Sequence, residues 1–130
     1  MSWAGGYTFL GSDLSGHTVV YDSDVPAPKG ISPMRALLTS LGACSGMDVV
    51  AILRKRNQNL ASLKVRLSGV RPEHGYPKPW QSIAVRYLLT GDLEKRFVEE
   101  AIEESMAKFC SVAATLRPGV EITYSYQLVR

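Results

Sequence analysis

The chain has 130 residues, of which 45% are hydrophobic, and its formal net charge is +3. This size and composition are typical of one globular domain with a hydrophobic core, so we expect a single domain over residues 1–130. Basic and acidic residues alternate along the chain instead of forming long runs. The charge pattern therefore argues against nucleic acid or an anionic membrane as a partner.

The sequence also bears on compartment and on metal binding. No apolar stretch approaches the roughly 18 residues expected of a membrane-spanning helix. The segment MSWAGGYTFL lacks the basic and then apolar layout of a signal peptide, so we expect a cytoplasmic protein. The two cysteines are then unsuited to a structural disulfide, and the two histidines lack zinc-ligand spacing, so we expect no metal or other cofactor.

The predicted elements begin with two short strands. The β-prone pieces at 7–10 and 17–21 are joined by the turn-forming sequence GSDLSG. Ser32 followed by Pro33 then predicts the N-cap and the first residue of a helix. This helix continues to about Arg56, where cations favour the last turn and asparagines can stop it.

Further along the chain, LKVRLSGVR and SIAVRYLLTG alternate apolar and polar residues and predict two strands that pair antiparallel. Gly91 and Asp92 then open a second amphipathic helix, from Leu93 to about Phe109. The alternating segment VEITYSYQLVR ends the chain. This order predicts an α+β fold with helices on one face of an antiparallel sheet.

The long predicted helix is apolar around more of its circumference than one sheet can cover. Its large apolar residues are Leu37, Leu38, Leu41, Met47, Val49, Val50, Ile52 and Leu53. We therefore expect a second copy of the chain to cover the rest of this helix, as a homodimer.

The segment LGACSGMDVV places Cys44 on the inward face of this helix, between two glycines. Gly42 and Gly46 each cost the helix about 1 kcal/mol relative to alanine, which close packing or room for a small molecule would offset. Asp48, one turn later, disfavours a thiolate at Cys44, so a reactive thiol needs a cation or a sequestered carboxylate. Arg35 is too far along the same helix to meet Cys44. A reactive cysteine and a merely buried one both stay open.

Cys110 closes the predicted second helix in AKFCSVAATL. A helix C-terminus disfavours a thiolate, so this cysteine suits a thiol that attacks after Cys44 has been oxidised. The alternative is a last-turn core residue beside Phe109. His74 and Glu73 form the other candidate pair for acid/base work, although a plain surface loop is the better interpretation for them.

Two segments together, GISPMRALLTSLGACSGMDVVAIL and KFCSVAATL, resemble the OsmC/Ohr family of osmotically inducible and organic hydroperoxide resistance proteins. The resemblance extends over essentially the whole chain. It implies an OsmC-like α+β fold, in which antiparallel sheets wrap around long central helices in an intertwined homodimer. It also implies a peroxidase without metal that reduces organic hydroperoxides and, in some branches, hydrogen peroxide. Cys44 resembles the peroxidatic cysteine and Cys110 the resolving one, with an external dithiol as reductant.

The chain departs from the peroxidase branch of that family in its charges. That branch supplies an arginine from the N-terminal segment, whereas residues 1–34 of this chain contain none. Arg35 stands where a related, less characterised branch commonly has glutamate, and it could supply the cation across a dimer interface. The sequence MDVVAIL, with Asp48, also resembles that branch. Two alternatives stay open: a noncatalytic dimeric binding protein for an apolar or thiol-bearing small molecule, and a purely structural dimer.

Overall fold

The structure is a computed structural model that describes residues 1–24 and 26–129. The chain forms two compact units, Met1–Leu37 and Leu38–Arg130. Each unit contains a three-stranded sheet. The expectation of a single domain over residues 1–130 stays a prediction.

The N-terminal unit is built on three short antiparallel strands. They are β1 (Ser2–Trp3), β2 (Phe9–Ser12) and β3 (Thr18–Tyr21), and they lie in the order β1-β2-β3. The two strands predicted from the sequence correspond to β2 and β3, displaced by at most two residues at their ends. The short strand β1 was not expected.

The long helix α1 spans Pro33–Lys55, close to the predicted bounds. The Ser32 hydroxyl accepts a hydrogen bond from the Arg35 backbone N–H at 3.3 Å, which confirms Ser32 as the N-cap. Beyond the other end, Asn57 takes a left-handed conformation with φ of 56°. Asparagine tolerates this conformation better than most residues, so it ends the helix as predicted.

α1 is long and apolar enough to cross a membrane by length and composition, with a mean hydropathy of 1.7 over 18 residues. The expectation that no segment reaches this limit is therefore wrong. The helix packs against the second unit's sheet, however, and 39% of that window is buried inside the protein. Its buried residues are Leu41, Gly42, Ser45, Gly46, Val49, Ile52 and Leu53. Core packing thus explains part of its apolar composition.

The sheet of the second unit has the order β4-β5-β6. β4 (Asn59–Val70) and β5 (Ser82–Asp92) pair antiparallel, as predicted. β6 (Glu121–Leu128) pairs with β5 in parallel, so this sheet is mixed and the purely antiparallel sheet is a wrong prediction. The helices between β5 and β6 form a crossover, which returns the chain to the sheet in the same direction.

The region between β5 and β6 contains three helical pieces. α2 (Lys95–Glu104) continues into a π-helical turn (Ser105–Phe109), and α3 (Ser111–Leu116) follows. The segment is helical from Lys95 to Phe109 and Cys110 is its C-cap, so the predicted second helix over 93–109 is confirmed except for its first two residues. Cys110 has an extended backbone, with φ of −73° and ψ of 102°, and is the N-cap of α3. The apolar periodicity of the segment did not reveal the π-helical turn or the further helix α3.

The core of the second unit lies between the sheet and its helices. Its fully buried large side chains come from β5, α1 and α2: Ile83, Val85, Tyr87, Leu89, Leu41, Val49, Leu53, Val98 and Ile102. Residues 83, 85, 87 and 89 alternate along β5, because successive strand side chains point to opposite faces. This arrangement brings α1 and the end of α2 together over the central strand, where the two cysteines lie.

Candidate functional site

The two glycines beside Cys44 differ in their surroundings. A Cβ atom built on Gly42 would lie 2.7 Å from Cδ1 of Leu67 and 3.6 Å from Cγ1 of Val65. A Cβ atom on Gly46 would lie 3.6 Å from Cγ2 of Val65, which is an ordinary van der Waals contact. α1 therefore packs more closely on β4 at Gly42, where a side chain would displace the Leu67 methyl group, than at Gly46, where a side chain has ordinary clearance.

Gly46 borders an open groove of about 480 Å³ along α1. Mostly small and apolar residues line the groove, among them Met47 and Val50 of α1 and Leu63 and Val65 of β4, together with the basic residue Arg54. The Met47 side chain is 70% exposed, although it is large and apolar. This side of α1 is thus left uncovered within the second unit.

Cys44 and Cys110 are both free thiols. Cys44 lies on α1 and is half-buried, while Cys110 lies between the π-helical turn and α3 and is only 3% exposed. The Cys110 thiol interacts with the side chain of Cys44. The fold therefore brings together the two cysteines that were singled out in the sequence.

Burial raises the pKa of the Cys110 thiol to about 11. The backbone N–H of Ala113 donates to its Sγ at 3.4 Å and acts in the opposite direction, without offsetting burial. The Cys44 side chain and the negative charge of Asp48 raise this pKa further. The predicted preference of Cys110 for the protonated form is confirmed, with burial as its main cause. The residue ends the π-helical turn and also begins α3, so its place at a helix end does not explain the raised pKa by itself.

Asp48 is paired with a serine and not with a cation in the hydrogen bonds of the described residues. The Ser105 hydroxyl lies 2.9 Å from Oδ2 of Asp48 and donates to it. The same hydroxyl is 3.4 Å from the backbone carbonyl of Ser45. Ser105 is fully buried in the π-helical turn, so it ties this turn to α1 beside the thiols.

A second pair of buried hydroxyls adjoins Cys44. The Tyr87 hydroxyl donates to Oγ of Ser45 at 2.8 Å, and Ser45 donates to the backbone carbonyl of Leu41 at 2.9 Å. Burial raises the pKa of Tyr87 to about 12, so this phenol stays protonated at neutral pH. Among the described residues, every buried polar side-chain atom has a hydrogen-bond partner. The site is therefore a satisfied polar cluster inside an apolar core.

The remaining candidates lie elsewhere. Arg35 is an exposed residue of the first turn of α1, in the N-terminal unit, and its action on Cys44 stays a prediction. His74 and Glu73 are almost fully exposed in the loop between β4 and β5, with 3.8 Å between His74 Nε2 and Glu73 Oε2. The part of the chain that the structure describes contains no cluster of three or more metal-ligating residues.

Sequence reasoning missed Ser45, Ser105 and Tyr87. A signal for two of them existed. Ser105 continues the apolar stripe of the second helix at helical spacing, after Val98 and Ile102, and Tyr87 has the same strand phase as the buried residues before it. A hydroxyl at an inward position needs a partner, which predicts a polar cluster but does not identify its members.

The comparisons with known proteins agree with this fold. The model of the OsmC-like protein family matches residues 26–125. Protein YhfA of Escherichia coli K12 is 38% identical over 130 residues, covering 99% of this chain and 96% of that protein. The crystal structure of a hypothetical protein from Aquifex aeolicus is 32% identical, with a TM-score of 0.83 over 99% of this chain and 94% of that one.

The chain belongs to the OsmC-like family. The organic hydroperoxide resistance protein OhrB of Bacillus subtilis shares the fold at only 14% identity, with a TM-score of 0.62 over 92% of this chain and 96% of that one. The higher identity to YhfA than to OhrB agrees with the predicted placement in the less characterised OsmC-like branch. Family membership indicates a redox or peroxide-related role.

Proposed function

We propose that this protein is a thiol-dependent peroxidase that reduces organic hydroperoxides in the cytoplasm. The observation that carries the proposal is the adjacency of two free thiols, the half-buried Cys44 and the buried Cys110, in a chain of the OsmC-like family. Cys44 is the more accessible thiol, so it is the one that meets the hydroperoxide. Cys110 is protonated and enclosed, which suits a thiol that reacts only with its neighbour.

The proposed reaction has three steps. The Cys44 thiolate attacks the distal oxygen of ROOH, so that an S–O bond forms, the O–O bond breaks, and the alkoxide takes a proton to leave as ROH. The Cys110 sulfur then attacks the Cys44 sulfenic acid; the S–S bond forms, the S–O bond breaks, and water leaves. An external dithiol reduces the disulfide by two exchange steps and restores both thiols.

The proposed active form is a homodimer in which a second copy covers the open side of α1. Its support is the exposed apolar groove beside Met47 together with the family resemblance. A reactive thiolate at Cys44 needs a cation near it, and we propose that Arg35 of the second copy supplies that cation. The covering of α1 and the role of Arg35 both require the dimer, so a monomeric protein would contradict both.

The first prediction tests the roles of the two cysteines. Cys44→Ser should abolish hydroperoxide consumption, since no other described thiol is accessible to the substrate. Without a reductant, Cys110→Ser should consume one equivalent of tert-butyl hydroperoxide per chain and keep a sulfenic acid at Cys44, because that sulfenic acid has no resolving partner. The parent should also consume one equivalent but form the Cys44–Cys110 disulfide. Peroxide consumption without and with excess dithiothreitol, and sulfenic acid trapping by dimedone, measure both results.

The two serine variants control each other, since each removes one thiol and keeps the other. Undiminished peroxide consumption by Cys44→Ser would contradict the proposal. If the parent protein consumes no hydroperoxide and forms no disulfide, the groove along α1 favours the alternative of a noncatalytic binding protein for an apolar or thiol-bearing small molecule.

A further inference from the structure

The proposed resolving step requires the Cys110 sulfur to meet the Cys44 sulfur, although the two residues belong to different segments. Cys110 stands at the end of the π-helical turn and has an extended backbone. Its position therefore depends on what holds that turn against α1. Met106 of the turn is buried in the core, but apolar packing is non-directional and does not fix the orientation of the turn.

Ser105 links the turn to α1 through its side chain. The residue is fully buried, where a hydroxyl without a partner would be costly. Its hydroxyl donates to Oδ2 of Asp48 at 2.9 Å and lies 3.4 Å from the carbonyl oxygen of Ser45. Ser45 directly follows Cys44, and Asp48 lies one helical turn after Cys44. In the described part of the chain, the hydrogen-bond contacts between the turn and α1 both come from this hydroxyl.

Ser105 also holds Cys110, through its backbone. Its carbonyl oxygen accepts the Cys110 backbone N–H at 2.8 Å, which is the hydrogen bond between residues five apart that defines a π-helical turn. The hydroxyl of one residue thus contacts the Cys44 side of the site, and its carbonyl contacts the Cys110 side.

Two further hydrogen bonds near the thiols do not join these two segments. The Tyr87 hydroxyl donates to Oγ of Ser45 and so holds α1 on β5. The Arg117 guanidinium donates to the carbonyl of Met106 and so joins the end of α3 to the turn. Neither contact fixes the turn relative to α1, which leaves this task to Ser105.

We infer that Ser105 is the positioning residue of the resolving step: its hydroxyl on Asp48 and its carbonyl on Cys110 hold the Cys110 sulfur within reach of Cys44. The inference rests on the proposed peroxidase function and adds a residue that touches neither the substrate nor the reacting sulfurs. Positioning of this kind raises the effective concentration of one thiol at the other. Without the link, the turn takes several orientations, and only some of them bring the two sulfurs together.

The test follows disulfide formation without hydroperoxide. One equivalent of 5,5′-dithiobis(2-nitrobenzoate) forms an aryl mixed disulfide on Cys44 with a first release of thionitrobenzoate. The Cys110 sulfur then attacks the Cys44 sulfur and forms the new S–S bond. The bond to the aryl sulfur breaks, a second thionitrobenzoate leaves with the electron pair, and the Cys110 proton passes to water. Cys110→Ser, which should give a single release, verifies the assignment of the two phases.

Ser105→Ala removes the hydroxyl and keeps the carbonyl. We expect the first release to stay within about twofold of the parent and the second to slow about tenfold or more, since misplacing a reacting group by about 1 Å can slow a step on the order of 100-fold. The slowing should be equal at pH 7 and pH 9, because position does not depend on the ionisation of Cys110. Tyr126→Phe is the matched control: it removes a hydroxyl-to-carboxylate hydrogen bond of 2.6 Å to Glu99 of α2 and should leave both releases unchanged.

The acceptor of the hydroxyl provides a second measurement. Asp48→Ala removes the acceptor and should slow the second release about as much as Ser105→Ala. The double variant should be no slower than either single variant, because both substitutions break the same hydrogen bond. Asp48→Asn keeps an acceptor oxygen and should slow the second release much less than Asp48→Ala.

A second release in Ser105→Ala within about twofold of the parent would overturn the inference. So would additive slowing in the double variant, since that is the signature of a general loosening of the core, or a parent that gives only one release. If Ser105→Ala does not fold, the two Asp48 variants decide: a slower second release in the alanine variant alone supports the inference, and equal rates overturn it. A parent that passes this test but consumes no hydroperoxide would contradict only the proposed function.

Discussion

Gly42 and Gly46 have equal standing in the sequence, one turn apart and on either side of Cys44. In the structure the space beside the two glycines differs. Leu67 of β4 occupies the space where a Gly42 side chain would lie, at 2.7 Å, whereas Gly46 has ordinary clearance. The helix therefore loses stability at both positions but gains close packing on the sheet at only one of them.

The second prediction compares Gly42→Ala with Gly46→Ala. Alanine gains about 1 kcal/mol over glycine inside a helix, and at position 46 this gain is not opposed by a close contact. At position 42 the Leu67 methyl group must move, and the cost of this movement offsets part or all of the increase in the free energy of unfolding. We expect Gly46→Ala to have the higher free energy of unfolding, measured by urea denaturation at a fixed protein concentration.

Each glycine variant is the control for the other, because the substitution and the helix are the same. A higher free energy of unfolding for Gly42→Ala would mean that Leu67 moves without cost. It would also remove the packing explanation for Gly42.

At the scale of elements, the π-helical turn between α2 and α3 decides where Cys110 lies. A π-helical turn holds more residues than an α-helical one and often occurs at functional sites. Here it puts the buried Ser105 against Asp48 and ends with Cys110 in an extended conformation beside Cys44. Without this turn, Cys110 would follow the regular 3.6-residue period of α2.

The third prediction removes one residue from this turn. Deleting Ala107, which is exposed, allows the segment to continue as an α-helix and rotates Cys110 by about 100° relative to α2. With one equivalent of 5,5′-dithiobis(2-nitrobenzoate) as the probe, Cys44 should still form an aryl mixed disulfide with a first release of thionitrobenzoate. The second release, in which Cys110 displaces the aryl thiolate from Cys44, should slow at least tenfold. Ala107→Ser, which keeps the length, should retain both phases. A deletion variant with a normal second phase would show that the turn does not position Cys110.

At the scale of the whole molecule, α1 has one covered and one uncovered side in the second unit. The sheet covers Gly42 and its neighbours, while Met47 is 70% exposed beside an apolar groove. Large exposed apolar patches mark interaction sites in soluble proteins. The proposed occupant of this one is a second copy of the chain.

The fourth prediction places a charge in the proposed interface. Met47→Asp would bury a carboxylate there, and the cost of removing it from water should disrupt the dimer even though Arg54 lines the same groove. Light scattering at micromolar concentration should give twice the chain mass of 14.3 kDa for the parent and the single mass for the variant. Oxidation of Cys44 by hydroperoxide should also slow in the variant, because Arg35 of the second copy is lost.

Val70→Asp is the matched control. Val70 is 58% exposed at the end of β4, in the strand phase of Arg66 and Ser68, on the sheet face opposite the inward side chains. It should leave the dimer mass and the oxidation rate of Cys44 unchanged. A parent protein with the single-chain mass would end the dimer proposal and, with it, the role of Arg35.

The sequence by itself determined the features that depend on local physics. Ser32 and Pro33 set the start of α1, Asn57 sets its end, and the alternation of apolar residues sets β4 and β5. These signals are readable because capping, left-handed conformations and strand burial each depend on residues close together in the chain. The two cysteine motifs were likewise sufficient for the family.

Only the tertiary structure decided how the distant segments meet. The pairing of Ser105 with Asp48, the hydrogen bond from Tyr87 to Ser45 and the parallel direction of β6 all join residues far apart in the sequence. The ionisation of Cys110 follows from the same cause, because its burial depends on what packs around it and not on its own helix. Local sequence patterns do not distinguish among the possible hydrogen-bond and packing partners of a buried residue. Long-range packing decides which partners meet, and here it decided which residues surround the two thiols.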